Sequence, residues 1–96
     1  MSQTEAEIVK DMVKALRKAG CECSKIHGDQ YQERGVPDIL GCDPKGKFFA
    51  IEAKRPGKEK NVSAYQAFKL KKYGKLSKKV GVATTVEQAL KIAGVK

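Results

Sequence analysis

Between Gly35 and Pro56 lies the stretch that most restricts what this chain can fold into. It reads Gly-Val-Pro-Asp-Ile-Leu-Gly-Cys, then Asp43-Pro44-Lys45-Gly46, then, after Lys47, Phe-Phe-Ala-Ile-Glu-Ala-Lys-Arg-Pro. Pro at the second and Gly at the fourth position of the tetrapeptide are what a type I turn prefers. Two β-strands joined there form a hairpin that sets Asp38 against Glu52 to within a residue. Side chains alternate along a strand, so Glu52 and Lys54 share one face while Ile51 and Ala53 take the other. An Asp, a Glu and a Lys are thereby expected on one small patch of sheet. Burying them together is costly unless a metal holds the group.

The rest of the chain supplies the elements that a sheet of this kind needs. Residues 3–19 carry Ile8, Val9, Met12, Val13 and Leu16 at helical spacing, with Thr4 or Ser2 to cap the start and Gly20 to close the helix. At about 100° per residue Glu5 projects from the middle of that apolar arc, whereas Glu7 lies opposite and reads as a solvated charge. Cys21 to about His27 is expected to be a first strand, followed by a polar connection through Gly35. The apolar runs Val36, Ile39, Leu40 and Phe48 to Ile51 suit strands covered on both faces. A second helix is expected over about 63–74, capped by Asn61 or Ser63 and ended by Gly74, with Gln66, Leu70 and Tyr73 on one face. Val80 to Thr84 reads as a last strand, and Thr85 as the cap of a closing helix over 86–93. Short connections make the first three strands antiparallel neighbours, and the helix before the fourth suits a parallel crossover. The expectation is an α/β fold in the order α-β-β-β-α-β-α, a mixed four-stranded sheet flanked by helices, with residues 1–96 as a single domain.

Twenty Lys and Arg against eleven Asp and Glu give a net charge of +9, which points to a polyanionic partner. Lys58 to Lys79 holds eight lysines and only one acidic residue, Glu59. No apolar run is long enough to span a membrane and no secretory leader is visible, so a cytoplasmic, intracellular protein is expected, from a bacterium or a phage-infected host cell. Three cysteines do not form a disulfide framework, and Cys21-x-Cys23 with His27 and Cys42 lacks zinc-finger spacing. His27 at a strand end reads as a surface group rather than a general base. Tyr31 and Arg34 lie on the loop that leads into Pro37-Asp38, within reach of a substrate backbone.

Pro37-Asp38, then Glu52-Ala53-Lys54, resembles the signature of the PD-(D/E)XK nucleases. The longer wording, Arg34-Gly35-Val36-Pro37-Asp38-Ile39 and Ile51-Glu52-Ala53-Lys54-Arg55-Pro56-Gly57, is similar to the VRR-NUC branch of that superfamily. The resemblance implies a restriction-endonuclease-like core and hydrolysis of phosphodiester bonds. It makes Asp38 and Glu52 metal ligands, with the main-chain carbonyl of Ala53 as a third. Thr4-Glu5-Ala6-Glu7-Ile8-Val9 is similar to the first-helix segment of archaeal Holliday-junction resolvases, which maps a further metal-site glutamate onto Glu5. Gln66 matches the glutamine that VRR-NUC proteins carry early in the helix after the Glu-x-Lys strand, where its amide is expected to meet a water on the metal or a phosphate oxygen.

The implied catalytic set is Glu5, Asp38, Glu52, Lys54 and Gln66. Oxygen donors of this kind suit Mg²⁺, with Mn²⁺ as a substitute, and no small-molecule cofactor is expected. Lys54 is expected to steer the attacking hydroxide or stabilise charge growing on the phosphate. Arg34, Arg55, Lys58, Lys60, Lys69, Lys72 and Tyr73 are the expected nucleic-acid contacts. Small stand-alone VRR-NUC proteins are similar to junction resolvases, so the expected substrate is branched DNA, above all a four-way junction, met by a homodimer whose two-fold symmetry matches it. A flap- or end-processing nuclease is the alternative within enzymes. A non-catalytic basic nucleic-acid-binding module is the alternative outside them, and the complete acidic and lysine set argues against it.

Overall fold

The hairpin forms in the register its turn dictates. In the computed structural model, which describes residues 3–26 and 33–96, the elements run α1 (Glu5–Lys18), β1 (Glu22–Lys25), β2 (Ile39–Cys42), β3 (Phe48–Ala53), α2 (Ala64–Leu76), β4 (Val80–Ala83) and α3 (Val86–Ala93). Ile39 pairs with Ile51 and Cys42 with Phe48. The turn closes with the Gly46 N–H on the Asp43 carbonyl at 2.9 Å, while Asp43 Oδ1 accepts the N–H groups of Lys45 and Lys47. His27 and Tyr31, and Ser2 as a cap, lie outside the described residues.

The sheet order is β1-β2-β3-β4, antiparallel through the first three strands and parallel between β3 and β4. This is an α/β fold with an open, mixed four-stranded sheet and three helices. Both faces of β3 are covered, as its near-continuous apolar run requires. Phe49, Ile51 and Ala53 enter a core with Ile8, Val9, Met12 and Leu16 of α1 and Ala89 and Ala93 of α3. On the other face Phe48 meets Tyr73 of α2, with ring centroids 5.5 Å apart. The radius of gyration is 12.3 Å, and among the described residues no helix is long and apolar enough to cross a membrane.

Two expectations about boundaries change. Gly74 does not end α2, which continues to Leu76. The stop is set instead by Ser77, whose N–H donates to the Tyr73 carbonyl and whose hydroxyl donates to the Phe48 carbonyl at 2.6 Å, tying the helix end to β3. The first strand is also shorter than Cys21 to His27 on its leading side, because the Cys21 N–H is used by the Leu16 carbonyl in closing α1. Thr4, Ser63 and Thr85 are the three N-caps.

Candidate metal centre

Three carboxylates from three parts of the chain converge. Glu5 comes from the first turn of α1, Asp38 from the approach to β2 and Glu52 from β3, with one oxygen of each within 4.8 Å of the others. Among the described residues this is the only such group of His, Cys, Asp and Glu, and the cysteines stand apart from it as free thiols. The donor set is all oxygen, which suits a hard divalent cation.

Asp38 is held from two sides. Its main-chain carbonyl accepts the Ile26 N–H at 2.8 Å, and its Oδ2 accepts the Ala53 N–H at 2.9 Å. Glu52 is 1 % exposed. Its Oε2 accepts from the Gln66 amide at 2.7 Å and lies 3.4 Å from the Lys54 ammonium. Its Oε1 is buried and finds no hydrogen-bond partner among the described residues. The Asp38 carboxyl is close enough to hydrogen-bond Glu52, and does so only if a proton lies between the two groups.

The electrostatics follow from burial and from like charge. Desolvation, reinforced by Asp38, pushes the Glu52 carboxyl up to about 7, against the opposing pull of Lys54. Asp38 is also raised, chiefly by desolvation, although the Ala53 N–H works the other way. A buried Glu52 and a half-buried Asp38 resist ionising together, and one Glu52 oxygen is left without a partner among the described residues. A divalent cation at Glu5, Asp38 and Glu52 answers both, so the residues fit such a group.

Lys54 is largely buried, its Nζ donating to Gln66 Oε1 at 3.2 Å. Gln66 is therefore shared between the helix and the site. Its Oε1 also accepts the Ser63 N–H, and its own N–H is capped by the Ser63 hydroxyl, closing a reciprocal capping box. The Gln66 amide thus bonds Glu52, Lys54 and Ser63, and its Nε2 carries a second hydrogen beyond the one given to Glu52. Ser63 went unrecognised as a site residue, yet Ser63-x-x-Gln66 is the written form of a capping box. Thr4-x-x-Glu7 is another, and there Glu7 caps α1 rather than merely facing solvent.

The expected nucleic-acid contacts are scattered around this centre. Arg55, Lys58 and Lys60 are exposed on the loop after β3. Arg34 sits over the Tyr65 ring at 5.2 Å and Lys72 over the Phe68 ring at 5.0 Å. Lys69 pairs with Glu33 at 2.7 Å, and Tyr73 spends its ring packing against Phe48. Lys79, one of the eight lysines of the basic stretch, is used inside the fold, bonding Asp43 Oδ2 at 3.0 Å and the Ala93 carbonyl at 2.7 Å. Comparison with family models, with curated proteins and with solved structures finds no match.

Proposed function

We propose that this chain is a divalent-metal-dependent, structure-specific DNA endonuclease of the VRR-NUC type, built on a restriction-endonuclease-like core and acting as a homodimer on four-way junctions. One observation carries the reading: Glu52, grouped with Asp38 and Glu5, has a buried Oε1 without a partner among the described residues and an ammonium on its other oxygen. A structural ion network has no use for an orphaned acceptor, whereas a metal site needs one. Asp38, Glu52 and Glu5 hold the cation, Mg²⁺ or Mn²⁺, together with the Ala53 carbonyl. When bound, the cation offsets phosphate charge and makes water more acidic. Lys54 directs its ammonium toward charge that develops on the phosphate, and Gln66 orients both Lys54 and Glu52 by bonding each of them. The basic loop from Arg55 to Lys60 binds the DNA backbone next to the site.

The test incubates a labelled four-way junction with and without Mg²⁺ and reads the products at nucleotide resolution, with flaps and linear duplexes in parallel. Metal-dependent nicks at symmetric positions in the junction are expected. Glu52→Ala and Lys54→Ala should lose cleavage and keep junction binding, and undiminished cleavage by either would refute the reading. Preference for flaps would move the assignment to end processing, and binding without any product would leave a non-catalytic module.

A further inference from the structure

Two aromatic rings stand open to solvent on the helix that carries Gln66. Tyr65 and Phe68, one helical turn apart at the start of α2, are each 56 % exposed. They line a hollow of about 450 Å³ with Glu33, Arg34, Ala64 and Lys69. More than half of each ring faces solvent on a helix that buries none of its residues fully. Each ring already carries a cation over its face, Arg34 on Tyr65 and Lys72 on Phe68.

The hollow is linked to the site through the chain and through close packing. Tyr65 precedes Gln66, whose amide holds Glu52. Gly35, at φ +83°, lies so close to the Tyr65 main chain that an added Cβ would collide with its carbonyl. The Lys69–Glu33 pair ties the same segment to α2. The segment that delivers Asp38 and the turn that delivers Gln66 thus form the two walls of the hollow.

We propose that Tyr65 and Phe68 form a stacking platform for a DNA base left unpaired at a branch point, so that the protein distinguishes branched DNA from continuous duplex. Flat apolar faces ringed by cations fit a nucleotide: the base lies on a ring, while Arg34 and Lys72 move onto flanking phosphates. A fully paired duplex offers its phosphates but no free base face. A second copy of this chain is disfavoured on charge, since a two-fold contact here would bring Arg34, Lys69 and Lys72 against their own images. The proposal rests on the nuclease reading for its cleavage step but not for its binding step.

The experiment measures equilibrium binding in EDTA, where no hydrolysis occurs. The probes are a duplex containing an unpaired segment labelled with 2-aminopurine and a fully paired duplex of equal length. Binding of the native chain should quench the 2-aminopurine. The double variant Tyr65→Ala, Phe68→Ala should abolish that quenching and weaken binding of the unpaired probe by about tenfold or more. Its affinity for the paired duplex should stay within about twofold, and Tyr65→Phe, Phe68→Tyr should behave as the native chain. Equal weakening for both probes, no weakening, or no quenching by the native chain would overturn the platform. So would a native dimer that becomes monomeric in the alanine variant without any change in quenching. Quenching without cleavage in Mg²⁺ would sink the nuclease reading and leave the platform, whereas cleavage with unaltered binding by the alanine variant would do the reverse.

Discussion

Glu52 is the residue on which the candidate centre turns, because its two oxygens live in different surroundings. Oε2 is held by Gln66 and Lys54, and Oε1 by nothing described. With its folded value near 7 against about 4.5 unfolded, the native state holds the extra proton between those limits. The metal-free protein should therefore lose stability as pH rises from about 4.5 to 7, by roughly 3 kcal/mol at most. Asp38 shifts in the same direction, whereas Asp43, lowered mainly by its bond from the Lys47 N–H, acts only in more acidic solution. Thermal unfolding at pH 5.5 and 8 should show the decline in the native chain and a flatter response in Glu52→Gln. Mg²⁺ should raise the melting temperature more at pH 8 than at pH 5.5, and equal shifts at both would speak against binding at these carboxyls. Gln66 gives a second residue-scale test. Gln66→Met removes the donor to Glu52 and the contact to Lys54 without adding charge, and keeps a helix-forming side chain of similar length. Metal affinity, read by calorimetry, should fall by about 10–100-fold with the fold retained.

At the scale of elements, local chemistry decided what could be foreseen. The Asp43-Pro44-Lys45-Gly46 turn and the period-2 pattern after it were enough to pair Asp38 with Glu52, and the phase of one helix separated Glu5 from Glu7. The three carboxylates were legible for that reason. What Gln66 does was not, because a capping bond is local while its bonds to Glu52 and Lys54 depend on how α2 lies over β3. The end of α2 was missed for a related cause: Gly74 is a helix-stop signal only when nothing further on tethers the chain, and Ser77 does so from the strand side. A stability prediction follows from that error. Gly74 sits inside an exposed helical stretch with open space where a Cβ would stand. Gly74→Ala should stabilise the protein by about 0.5–1 kcal/mol, raising the melting temperature by roughly 2–8 °C in a domain of this size. A lower melting temperature would mean that the glycine serves a contact the fold does not reveal.

Over the whole molecule, a net charge of +9 is not spread evenly in purpose. Lys79 bridges the hairpin turn to the end of α3, and Lys69 answers Glu33, so neither is a simple charge offered to a partner. Lys58 and Lys60 differ. They stand exposed on the turned loop between β3 and α2, directly after Lys54 and Arg55, and bury nothing. The sheet carries acidic groups to one end and this loop follows directly after Lys54, so on the proposed function the loop is what would draw DNA to the carboxylates. Binding of DNA should then weaken steeply with salt, each phosphate contact adding about 0.9 to the slope of log K against log salt concentration. The double variant Lys58→Ala, Lys60→Ala should lower that slope by about 1.8 and leave the melting temperature nearly unchanged. Lys79→Ala should do the opposite, keeping the slope while costing about 1–3 kcal/mol of stability, because it strips a partner from the buried Asp43. A slope that responds equally to both substitutions would show that binding senses only total charge, and the loop would lose its assigned role.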